Sequence, residues 1–344
     1  MPESPAVPEA EAWFLAHGLS YFVPGVRADV REGLRARRFL PALLVVVLVA
    51  TGAAVLLVWA LEEWTAAPAV LVSFAAGGAL LYALTALRAR RIVVWALGRT
   101  FGSLRLLVPM ASRALPLLLV FVTFLFINAE AWQMTANLQP GVLWLTVLLL
   151  ATLAVVFLMV RLPEEVDQVD DAVDAAFVER TTQGTPLADP ARRLLAGGLD
   201  PAQHAQVTGY DRLNLILVLL VVQVGQIVLL AVSVFVFFLL FGALVMNVDV
   251  QASWTGFDGS ADADGRTIDS FSFLPNVSVQ LLQVSLFLAA FSGLYFTVAA
   301  VTDDTYRGQF FGAVTEELER AVGMRVVYLA LRAEADSGLH TGAG

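Results

Sequence analysis

Cysteine is absent from the chain, which excludes disulfides, thiolate metal sites and cysteine nucleophiles. Lysine is absent too: all 21 basic residues are arginine, a bias that fits a GC-rich, bacterial genome and requires no special guanidinium chemistry. Histidine is scarce, with His17, His204 and His340 far apart in polar segments, so no pair has metal-ligand spacing. There is no GxSxG, no phosphate loop and no GxGxxG following a strand. No motif supports an enzyme, and no catalytic, cofactor-binding or metal residue is assigned.

Charge is thin. Charged residues make up 15% of the 344 positions and hydrophobic ones 58%, above the ~45–50% of soluble domains. Mean hydropathy is +0.76. The net charge of -9 argues against a nucleic-acid binder, which would be basic.

What is abundant is apolar length. Blocks run from Phe39 to Leu61, Pro68 to Leu87, Ala114 to Met134, Val142 to Val160, Leu213 to Met246 and Ser278 to Val301. The expected fold is all-α: a polytopic integral membrane protein with a six-helix transmembrane bundle and cytoplasmic amphipathic helices. The fifth block holds 34 residues without a formal charge. As a helix it would be ~51 Å long, well beyond the ~30 Å hydrocarbon core.

The polar connections divide the chain further. Residues 1–38 lack the basic start and cleavage site of a secretory signal, so no cleaved leader is expected. Residues 88–113 mix arginines with Ile92, Trp95 and Phe101, as in a helix lying in the membrane interface, its arginines reaching toward headgroup phosphates. Residues 161–212 open with an acidic amphipathic helix over 163–180 and continue as loop; residues 302–344 hold a helix with Phe310, Val314, Leu318, Val322, Val326 and Leu329 on one stripe. These four segments carry 20 of the 21 arginines, and the loop 247–277 carries only Arg266. The positive-inside tendency then puts both termini in the cytoplasm, with the protein in the plasma (inner) membrane.

Candidate functional residues are uncharged or shallow. Gln223 and Gln226 share a face of the fifth helix, Gln280 and Gln283 a face of the sixth, and amides in hydrocarbon must find partners. With Asn128 and Glu130 near the end of the third block, Gln223, Gln226 and Gln283 form a candidate polar path or substrate contact. Ser285, Ala289, Gly293 and Thr297 recur every four residues as a packing ridge, and Ser73 with Gly77 makes a shorter one. Asp258, Asp262, Asp264, Gly265 and Asp269 have the flavour of a calcium loop, but the bidentate terminal acid is missing and a solvated acidic loop is expected. Asp303, Asp304, Tyr306 and Arg307 are expected to pair with Asp211 and Arg212. Two classes of function fit: a channel or carrier for small solutes or ions, or a non-transport scaffold or sensor binding a partner through its cytoplasmic helices. The partners expected are the lipid bilayer and a second copy or another membrane protein; no cofactor is implied.

Overall fold

In hydrocarbon every backbone N–H and C=O needs an internal partner, and a helix supplies one for each. The computed structural model describes residues 5–61, 64–102, 119–257, 268, 270–271, 274–302 and 304–341. Helices α1 (Ala6–Ala16) and α2 (Pro24–Gly33), joined by a 3-10 turn at Ser20–Phe22, lead into the apolar hairpin of α3 (Ala36–Leu61) and α4 (Ala66–Thr85). The chain reverses at Arg88, whose φ of +53° is left-handed, and enters α5 (Arg90–Gly102). Then come α6 (Leu119–Phe126), α7 (Ala129–Ala136) and α8 (Pro140–Asp171). Three short helices follow, α9 (Ala175–Thr182), α10 (Ala188–Ala196) and α11 (Ala202–Ala205), then the long α12 (Gly209–Val245) and α13 (Val248–Thr255). An antiparallel pair, β1 (Ser270–Phe271) and β2 (Leu274–Ser278), precedes α14 (Val279–Thr302) and α15 (Asp304–Thr341).

Helices α3, α4, α8, α12 and α14 are each long and apolar enough to cross a membrane; α6 and α7 add a sixth span if the bent pair is counted as one. Among the described residues the chain is all-α apart from that small β pair. At the centre α8, α12 and α14 pack on one another around Leu158, Leu230, Phe238, Leu281 and Leu288. The hairpin attaches through α4, which packs on α8, and leaves most of α3 exposed.

Several elements differ from the sequence expectation, each for a local reason. The third block is not one straight helix, because α6 and α7 meet at 70°. At the corner Asn128 is extended and its side chain accepts the Glu130 N–H at 2.8 Å, starting a new helix, while Trp132 Nε1 donates to the Phe126 carbonyl at 2.7 Å. The fourth block does not stop at Val160. It runs through Pro163 to Asp171 because Leu162, Val166 and Val169 keep one buried face. The N-terminal half of the mixed segment, expected at the membrane interface, packs on another helix. Ile92 is buried in one cluster with Val218, and Thr100 lies 3.3 Å from where a Gly225 Cβ would be, so α5 runs alongside α12. Residues 103–113, Asp258, Asp262, Asp264, Gly265, Asp269 and Asp303 fall outside the described residues.

The α4–α8 contact needs a residue without a side chain. A Cβ at Gly141 would stand 2.6 Å from the Ala66 Cα. Gly141→Ala is therefore expected to destabilise the purified protein by about 1–3 kcal/mol, as overpacking does. Thermal unfolding in detergent should show the loss, and Gly52→Ala, whose new methyl meets nothing within 4 Å, should not.

Candidate functional site at the arginine-rich end

The segments that carry most of the arginines fold on one another. Phe14, Phe22, Ala96, Val166, Phe177, Leu187, Val322 and Val327 share one buried cluster with Leu215, Leu219 and Val222 of α12. The surplus length of the fifth apolar block thus has a use: its first turns form the core of a helical domain beyond the bundle. Helix α15 buries the expected stripe at Val314, Leu318, Val322 and Val326, the Phe310 side chain lying outside the described residues, and farther along it buries its other faces as well. Ala321, Val322, Met324, Val326, Val327 and Tyr328 are all buried, so its middle is enclosed on nearly every side.

Asp211 is the electrostatic centre of this domain. It sits 5% exposed in the first turn of α12, where the helix dipole favours an acid. Its Oδ2 accepts from Arg325 Nε at 2.8 Å and its Oδ1 pairs with Arg27 Nη2 at 2.7 Å. Arg325, 7% exposed, also donates to the His204 carbonyl at 2.9 Å. One turn on, Asn214 donates to the Gly18 carbonyl at 3.0 Å and accepts the Tyr21 N–H at 2.7 Å. A single face of α12 therefore holds the N-terminal segment, α11 and α15. Arg212 donates to Asp167 at 2.9 Å; the side chains of residues 303–307, expected to pair with Asp211 and Arg212, lie outside the described residues.

Most acids of 164–174 also have partners. Glu164 pairs with Arg161, Asp170 accepts the Val207 N–H at 3.0 Å, and Asp174 caps α9 by accepting the Phe177 N–H at 2.7 Å. Two tyrosines close the periphery. Tyr21 donates to the Leu87 carbonyl at 2.7 Å, and burial pushes its phenol from 10.0 to about 12. Tyr328 donates to Glu11 at 2.6 Å; burial first, then the Glu11 carboxylate, raises its phenol to about 12.

The glutamines do not converge. Gln223 donates to Glu165 Oε2 at 3.3 Å, which places it beside the acidic end of α8. Gln226 is buried next to Ile227, and Ile227 lies against Gly293. Gln283 stands near Leu281, which meets Gly242 at the other end of the α12–α14 seam. By helical rise the two levels are roughly 20 Å apart. Asn128 and Glu130 are exposed at the α6–α7 corner, Asn128 as a cap. Gln280 is buried in the first turn of α14. The ridge of Ser285, Ala289, Gly293 and Thr297 is wholly buried, with Gly293 facing Ile227 and Ala231 of α12. At that far end Gln251 donates to the Asn276 carbonyl at 2.9 Å and accepts from Ser278 at 2.6 Å, tying α13 to β2.

Sequence reasoning missed the Arg27–Asp211–Arg325 set. The available signal was Arg325 itself, a lone charge between Met324 and Val326 in an apolar run. Among the described residues no group of three His, Asp or Glu could hold a metal. Comparison of the chain with protein-family models, curated proteins and solved structures finds no match.

Removing one member of a buried ion pair leaves the other charge unpaired. Asp211→Ala is expected to cost about 3–5 kcal/mol. Asp189→Ala, which breaks the exposed pair with Arg192, should cost under about 1 kcal/mol, both read by denaturant unfolding in detergent micelles. The tyrosines set an alkaline limit. Each raised phenol adds stability that is complete below about 10 and is lost as pH rises through about 12. Thermal unfolding across that window should fall steeply in the native protein and less steeply in Tyr21→Phe/Tyr328→Phe.

Proposed function

We propose that the protein is a non-transport membrane scaffold or sensor, in which a helical domain and a multi-pass bundle are mechanically one object. In this reading six spans cross a bacterial plasma membrane, both termini lie in the cytoplasm, and the domain faces a cytoplasmic partner. The excess of arginine at the domain end supports that orientation through the positive-inside tendency.

The observation that carries the proposal is the continuity of α12. It runs without interruption over Gly209–Val245, with Leu215, Leu219 and Val222 in the domain core and Leu230, Val234 and Phe238 in the bundle core. Helix α8 repeats the pattern, with Leu158 in the bundle and Val166 and Val169 in the domain. A shift of the domain core must therefore be felt as a rotation or translation of two central helices, since packed cores deform little. The channel or carrier reading is motivated by the spare length of the fifth helix, by the glutamines within the apolar blocks and by Glu130, which is exposed at the α6–α7 corner. The domain occupies that length, and Gln226 and Gln283 lie at different levels.

The test is whether a lesion in the domain reaches the bundle. Val322→Ala, in the domain core, is expected to raise hydrogen–deuterium exchange in residues 226–245 of α12 as well as in α15. Exchange confined to the domain would refute the coupling. Ion or small-solute flux through proteoliposomes above the level of protein-free vesicles would refute the non-transport reading.

A further inference from the structure

At the foot of α4, where the chain leaves the apolar layer, a cleft of about 980 Å³ opens between α2, α4 and α5. Its walls include Ser20, Asp29, Thr85, Arg88, Arg90 and Arg91. Asp29 is engaged by Arg88 Nε at 3.3 Å. Arg90 and Arg91 are exposed, and among the described residues neither has a carboxylate at ion-pair distance. In a chain of net charge -9, two unmatched guanidinium groups beside each other are a local reversal of sign.

A second cavity meets this one. An apolar groove of about 860 Å³ lies between α3 and α4, lined by Val46, Ala50, Leu71, Ala75 and Ala79, and Thr85 borders both the groove and the cleft. On α3 the groove extends from Phe39 to Thr51. That is ~18 Å by helical rise, close to one leaflet of a ~30 Å hydrocarbon core. A positive cleft and an apolar groove about one leaflet deep thus share Thr85 as a common wall.

We propose that this composite site binds an anionic phospholipid of the leaflet on the arginine-rich side. The phosphate sits between Arg90 and Arg91, which donate paired N–H groups to its oxygens, and one acyl chain lies along the α3–α4 groove. Guanidinium is suited to the role because its planar fork matches a phosphate and it stays charged at the membrane surface. A second copy of the chain covering the groove, or free phosphate in the cleft, would each satisfy only half of the site.

Native mass spectrometry of the full-length protein in a neutral detergent tests this. Titrated with dioleoyl phosphatidylglycerol or dioleoyl phosphatidylcholine, the native protein is expected to prefer the anionic lipid by about ten-fold or more. Arg90→Gln/Arg91→Gln should abolish that preference. Ala79→Trp, which fills the groove from an exposed position, should weaken binding of dioleoyl but not of dihexanoyl phosphatidylglycerol. Unchanged thermal unfolding of both variants would show that the fold is intact; for a variant that unfolds early, Arg91→Gln or Ala75→Trp replaces it. Equal retention of the two headgroups, native-like preference in the arginine variant, or dioleoyl binding indifferent to the tryptophan overturns the proposal. So does inorganic phosphate competing as well as phosphatidylglycerol, which would leave a phosphate site without a lipid, or a dimer that excludes lipid.

Discussion

A carboxylate almost removed from solvent at the first turn of α12 must be neutralised where it stands, and Asp211 sets that requirement for half the molecule. Desolvating a charge costs several kcal/mol even after relaxation, so its partners have to arrive from elsewhere in the chain with good geometry. They come from both ends of the sequence, Arg27 before the first span and Arg325 after the last. Bringing them together also brings Phe14, Phe22, Val322 and Val327 together, and the apolar contacts follow around the ionic centre. Asn214 and Tyr328 then tie down further polar groups of the same segments, the Gly18 carbonyl, the Tyr21 N–H and Glu11.

From that centre the bundle is organised outward. Helices α8 and α12 leave the domain and continue as the seam on which α14 packs, helped by the small side chains of its ridge. The far end is closed by side chains that cap helix N-termini, Asn128 for α7, Asn247 for α13 and Ser278 for α14. The hairpin of α3 and α4 is attached more lightly. It touches the centre through Gly141 and through Trp144, whose Nε1 donates to Ser73 at 3.0 Å, and offers the rest of its apolar surface outward. In water such a surface would drive aggregation; against acyl chains it is matched by its surroundings. The same looseness leaves the groove that shares Thr85 with the arginine cleft.

Uninterrupted apolar runs were enough to place the helices of the bundle. Hydropathy over Ala36–Leu61, Ala66–Thr85 and Val279–Thr302 required them to be helical, since no other local structure satisfies the backbone in hydrocarbon. The grouping of arginines marked out four segments, and residues of all four share one buried cluster. The ridge from Ser285 to Thr297 was legible because helical periodicity puts every fourth residue on one face.

Periodicity says nothing about what covers a face, and that was left to the tertiary structure. Leu215 and Leu230 read alike in the sequence, yet one belongs to a domain core and the other to the bundle, because apolarity fits both environments equally. The partner of Asp211 was hidden for a related reason: an ion pair is a matter of distance in space, and Arg325 is 114 positions away along the chain. The corner at Asn128 depended on one capping bond and one indole, too small a signal to interrupt a hydrophobic run. Composition and spacing, in short, decided that these segments are apolar helices with cations at one end; only packing decided which buried surfaces face one another, because that choice is made by shape and by the need to pair each buried charge.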